Sequence, residues 1–187
     1  MKQIANFINE RLHITTKSFY SCQPETKEEL QEIILHRMKK EGYACDLNDI
    51  DISKITDMSA LFNPIKGDKI YNIFAHFNGD ISLWDVSHVT NMKSMFHGDN
   101  AFNGDISKWN VSNVENMEYM FCGCERFNCN ISKWNISGVK NIAYMFFSCK
   151  NFRTSLDNWD ISNVEFMGNA FKGCQAKPKW YDINEWE

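Results

Sequence analysis

FNGDISKWNVSNVENMEYMF, from Phe102 to Phe121, decides the fold because the chain writes it several times over. FNGDISLWDVSHVTNMKSMF starts at Phe77, FNCNISKWNISGVKNIAYMF at Phe127 and FRTSLDNWDISNVEFMGNAF at Phe152. Trp84, Trp109, Trp134 and Trp159 fall 25 residues apart, and the first two copies agree at 15 of 25 positions, too many for chance. A worn copy precedes them: IDISKITDMSALF (Ile50 to Phe62) aligns with WDVSHVTNMKSMF (Trp84 to Phe96), with Ile50 at the tryptophan position. Fifteen residues separate Phe62 from Phe77, against six between Phe96 and Phe102, so nine extra residues loop out after the worn copy. A period in this range is the signature of a repeat architecture.

Inside one copy the pattern changes. Trp109 and Val111 alternate with Lys108, Asn110 and Ser112, which predicts a short strand. Val114, Met117 and Phe121 follow at spacings of three and four, which predicts a turn or two of helix, and FNGDIS supplies the corner to the next copy. One such unit cannot bury an apolar face alone, whereas a stack can. The expected fold is therefore an α/β repeat solenoid with one short parallel strand and one short helical turn per coil. Its core columns are Trp84/109/134/159, Phe77/102/127/152, Phe96/121/146/171 and Val89/114/139/164. Ser87/112/137/162 and Asn91/116/141 read as polar ladders that bond backbone between coils.

Residues 1–46 lack the period and form an α-helical N-terminal cap, with a helix over 25–41 that is acidic at its start, basic at its end and closed by Gly42. Leu30, Ile33, Ile34 and Met38 give its apolar face, joined by Ile4, Phe7, Ile8 and Leu12, and HITTKSFY between them reads as a strand. The solenoid occupies 47–176: a degenerate coil at 47–62, an insertion at 63–76, and coils at 77–101, 102–126, 127–151 and 152–176. In the tail, 177–187, Trp180 and Tyr181 are expected to cover the last coil and Trp186 to be mobile.

Composition narrows the function. With 20 Lys+Arg against 24 Asp+Glu among 187 residues, and no basic block, the chain lacks the clustered positive charge that nucleic acid requires. No apolar run approaches the ~20 residues of a membrane span. The start, MKQIANFINERLHI, is too polar for a secretory signal, so the expected location is cytoplasmic rather than secreted. Seven cysteines cannot all pair, and without export they are expected as thiols.

The unit F-N-x-D-I-S-x-W-[DN]-[VI]-S-x-V-x-N-M-x-x-M-F resembles the BspA-like leucine-rich-repeat family, whose repeat also abounds in mycoplasma lipoproteins. The resemblance covers about residues 47–174, and PETKEEL…LNDIDISKITDMS resembles the N-terminal piece of short members from gut bacteria and their phages. It implies a right-handed leucine-rich-repeat-like stack used for surface display, adhesion and protein binding, without enzymatic activity. The lack of a signal peptide, lipobox or wall anchor in this sequence shifts that expectation to a host cytoplasm or a virion.

Cys124, Cys149 and Cys174 share one repeat position, which Asp99 fills in the earlier copy, and read as small side chains in a tight slot. A sharper reading places His97 and Asp99 one coil above Cys122 and Cys124, a four-ligand set for zinc. A Cys122/His97 nucleophile pair would need a third orienting group and a pocket, for which the sequence carries no signal. No cofactor is expected. Since ladder positions build the fold, binding should sit where exposed positions differ between copies. Tyr119, Tyr144 and Phe147 would form an aromatic patch on adjoining coils, and Tyr71 and Phe74 make the insertion a second candidate. The expectation is a non-enzymatic module binding a protein partner, with self-association open. The alternatives are a structural component of an assembly such as a phage particle, or a zinc or redox cysteine protein.

Overall fold

A computed structural model describes residues 19–63 and 71–181. The expected apolar residues Ile4, Phe7, Ile8 and Leu12, most of HITTKSFY, and Trp186 lie outside the described residues. Helix α1 spans Lys27–Glu41. Thr26 caps it, its hydroxyl accepting from the Glu29 amide, while the Glu29 carboxylate accepts from the amide of Glu25, just before the cap, at 2.8 Å. Glu28 and Glu29 in the first turn and Lys39 and Lys40 in the last complement the helix dipole. Leu30, Ile34 and Met38 are buried and Ile33 packs half-buried beside them. A four-residue helix, α2 (Tyr71–Phe74), follows the first coil.

The repeats themselves correct the expected fold. Neither the strand nor the helical turn forms, and among the described residues the coils are joined by isolated parallel bridges, with no sheet. The α/β solenoid is thus replaced by a stack of consecutive tight turns. In one copy, backbone bonds close Ile106–Trp109 at 3.2 Å, Val111–Val114 at 3.0 Å, Met117–Met120 at 3.1 Å and Phe121–Cys124 at 2.9 Å. Aspartate and asparagine side chains drive this turning. Asp105 accepts from the Ser107 amide, Asn110 from Ser112 and Asn116 from Glu118, each two residues on. Such local bonds compete with regular secondary structure and favour turns. The pairs Ile106/Trp109, Val111/Val114 and Met117/Met120 then both face inward from the two ends of one turn. The false alternation arose where one turn ends at Trp109 and the next begins at Val111, two residues apart with polar Asn110 between.

What holds the coils together is a seam repeated in register. The amides of Met117, Tyr119, Phe121 and Gly123 donate to the carbonyls of Asn141, Ala143, Met145 and Phe147, at 2.7–3.0 Å. Equivalent bonds run from Met92, Ser94, Phe96 and Gly98 to Asn116, Glu118, Met120 and Cys122. Between the worn copy and the next the same seam is kept, Met58 donating to Asn91 and Phe62 to Met95. Rings stack along the axis, Phe96 on Phe121 at 5.7 Å and Phe121 on Phe146 at 5.6 Å, near the spacing of adjacent backbones. Each tryptophan of the repeat column donates its indole N–H to a carbonyl of the preceding coil, Trp109 to Ile81 and Trp134 to Ile106, so a buried N–H is satisfied within the core. The serine column does not bridge coils through its hydroxyls. Cross-coil side-chain bonds come instead from Asn113 to the Ser87 carbonyl and from Asn163 to the Ser137 carbonyl.

Helix α1 covers the N-terminal end. Gln31 donates to the carbonyls of Ala60 and Leu61, Lys27 pairs with Asp57, and Arg37 holds the Asp49 carboxylate and the Asp46 carbonyl. Trp180 and Tyr181 cover part of the other end: the Trp180 indole donates to Leu156, and Tyr181 meets Phe171 edge-on at 5.1 Å.

Candidate interaction surface

The turn Met117–Met120 places position 119 in the left-handed region, with φ near 57°. The equivalent residues share it: Ala60, Ser94, Tyr144 and Asn169 all have φ between 53° and 57°. A residue with a Cβ pays on the order of 1–2 kcal/mol there. Two of these strained positions carry tyrosine, and their rings stack at 4.7 Å, within 5° of parallel. His97 extends the row on one side, 5.7 Å from Tyr119, and Phe147 on the other, 5.8 Å from Tyr144. Asn169 donates to the Tyr144 hydroxyl at 3.1 Å, and a Lys93–Glu118 ion pair at 2.7 Å runs alongside. All four rings are half-buried, so one face of the row is supported and the other meets solvent.

Tyr119, Tyr144 and Phe147, expected from sequence, are therefore brought together. His97, which the sequence pattern places in the zinc set, belongs with them instead. The other expected residues are placed differently. Phe74 is buried, packed edge-on against Phe62 at 6.0 Å, and presents nothing to a partner. Tyr71 opens α2, and its side chain lies outside the described residues.

The zinc set does not assemble: among the described residues no three His, Cys, Asp or Glu side chains are grouped to hold a metal ion. The physical reason is the turn at 96–99, which sends Asp99 into the core while His97 joins the surface row. Cys124, Cys149 and Cys174 point inward too, each thiol donating to a carbonyl of the preceding coil: Phe96, Phe121 and Phe146. Burial pushes the Cys122 thiol up to about 11 and pulls the His97 imidazole below its usual range. At neutral pH both are uncharged, so Cys122 is a protonated thiol rather than a thiolate nucleophile. All seven cysteines are free. Among the described residues no helix is long and apolar enough to cross a membrane.

Turn repeats stacked in register define a repeat protein. Residues 67–186 match the family DUF285, described as a Mycoplasma protein of unknown function, and the chain belongs to that family. No curated protein and no solved structure matches it.

Proposed function

We propose that the chain is a non-enzymatic protein-binding module that engages its partner through the His97–Tyr119–Tyr144–Phe147 row. The observation that carries this reading is the pair of stacked, half-exposed tyrosines in left-handed backbone, at positions that other coils fill with serine, alanine and asparagine. Strained aromatic residues on a rigid support are a common mark of a contact site, and a preordered row binds without a large ordering cost. The likeness of the repeat to BspA-like leucine-rich-repeat proteins supports the same reading, with the partner met in a host cytoplasm or on a virion.

The test exchanges each ring for the residue that a neighbouring coil already carries at its place: Tyr119→Ser, Tyr144→Asn and Phe147→Lys together. Proteins cross-linked to the wild-type chain in cells of its source should be lost from the variant. Affinity for the captured partner should fall ~30-fold or more, the scale of a hot-spot cluster, at an unchanged melting temperature. Undiminished capture by the triple variant would remove the row from the binding surface. Discrete oligomers of the purified chain on sizing would instead favour an assembly component.

A further inference from the structure

The cysteine column ends near the surface. Cys124 and Cys149 are wholly buried within the stack, whereas Cys174 sits on the last coil and is half-buried. Its turn lies hard against the equivalent turn one coil earlier. The Ser148 amide donates to the Lys172 carbonyl at 2.8 Å, and a Cβ on Gly173 would stand 3.2 Å from the Ser148 Cα. The Phe146 carbonyl receives two donors, the Cys149 amide and the Cys174 thiol, both at 2.9 Å. That shared acceptor draws the Cys174 sulfur onto the Cys149 turn, where the two thiols are hydrogen-bond neighbours. Equivalent residues of backbones paired in register stand about 4.8 Å apart, inside the range of about 4.4–6.8 Å between Cα atoms that a disulfide spans.

We propose that Cys174 and Cys149 form a thiol-modification site that reduces a low-molecular-weight disulfide and cross-links the last two coils. The Cys174 sulfur, as its thiolate, attacks one sulfur of R–S–S–R, so that a mixed disulfide forms and RS⁻ leaves. The Cys149 sulfur then attacks the Cys174 sulfur, the second RS⁻ leaves, and the Cys149–Cys174 bond forms. The protons of both protein thiols end on the two released RS⁻ groups. Two protein thiols are thereby oxidised and one small disulfide is reduced to two small thiols. The order of attack follows from the surroundings. The hydrogen bond from Cys149 holds the Cys174 thiol below its usual range, aided by the Lys177 charge, while burial pushes the Cys149 thiol well up. Cys22 and Cys129 are also half-buried, yet burial raises both thiols, so neither competes as the first nucleophile. The ring row takes no part in this chemistry, so each proposal can fail without the other.

The probe is oxidised glutathione, added to the reduced full chain. The intact mass should fall by two hydrogens with no glutathione retained, and digestion without reductant should join the peptides that carry Cys149 and Cys174. The remaining cysteines should all alkylate once the product is unfolded. Amide exchange across residues 167–174 should slow about tenfold or more relative to the reduced chain, and recover on adding dithiothreitol. Cys149→Ala should halt the reaction at a glutathione adduct on Cys174, and Cys174→Ser should leave Cys149 unmodified. The wild-type peptide map decides the matter even if either variant folds poorly. The proposal is overturned if Cys174 stays alkylatable after treatment, or if it keeps glutathione without bonding to Cys149. It also fails if the disulfide maps to another pair or joins two chains.

Discussion

Asp99 is wholly buried at the position where later coils carry Cys124, Cys149 and Cys174. Its Oδ1 accepts from the amides of Ala101 and Phe102, but its Oδ2 has no hydrogen-bond partner among the described residues. Burial pushes this carboxyl up to about 8, from an ordinary value of 3.8. Between those values the folded chain holds a proton that the unfolded chain releases. The contribution of Asp99 is therefore most favourable below about pH 4 and declines as pH rises toward 8. Asp85 and Asp105 act in the opposite sense. The serine hydroxyl and amide two residues on hold each below the usual range, so stability from them is lost only as pH falls through their lowered values. Asp99→Asn keeps the Oδ1 acceptor and removes the charge. Urea denaturation should find it about 1–3 kcal/mol more stable than wild type at pH 8, with little difference at pH 4. A wild-type decline between these values that persists in the variant would assign the titration to another group. The sequence placed Asp99 in the right column, yet residue type alone suggested a ligand. What decides its role is burial, which one sequence does not print.

At the scale of the element, the repeat frame was legible and its conformation was not. The 25-residue spacing fixed which residues stack, because identical side chains at identical intervals can be buried together only in register. Period analysis then failed inside the coil. Aspartate or asparagine followed two residues later by serine signals a turn through a side-chain bond, and that local chemistry outranks an apolar alternation only a few residues long. The same turns explain the glycines. Gly98, Gly123 and Gly173 have φ of 77–81°, and Ser148 takes their place with φ 60°. Ser148→Gly should thus relieve left-handed strain and stabilise the protein by about 0.5–1 kcal/mol, a rise of roughly 1–4 °C in melting temperature. Gly173→Ala should do the reverse, since a Cβ there would sit 3.2 Å from the Ser148 Cα in a backbone that disfavours it. Thermal melts of both variants check the pair, and equal or inverted shifts would contradict the turn geometry. The ring row shows the matching limit for the site. Tyr119, Tyr144 and Phe147 were readable because exposed positions that vary between copies stand out, whereas His97 joins them only through a turn that the sequence pattern concealed.

Across the described coils each repeat meets its neighbours through the same set of contacts, so the molecule should tolerate loss of a complete period and not of a partial one. Deleting residues 102–126 joins Ala101 to Phe127 and puts the amides of Met92, Ser94, Phe96 and Gly98 opposite the carbonyls of Asn141, Ala143, Met145 and Phe147. Every column is then refilled in kind: Phe127 for Phe102, Trp134 for Trp109 and Phe146 for Phe121. Stability in such arrays approximates a sum of unit and seam terms, so removal of one unit lowers it without ending cooperativity. The shortened chain should unfold in a single transition at a lower denaturant midpoint, with its slope reduced by roughly 10–20% in line with the surface lost. Near-ultraviolet circular dichroism should retain the signature of stacked tryptophans. Deleting only residues 102–114 removes half a period, shifts inward positions onto solvent-facing ones and should leave no cooperative transition. If both deletions unfolded alike, the seam would not be the unit of stability, and the columns would owe their register to something other than the repeat.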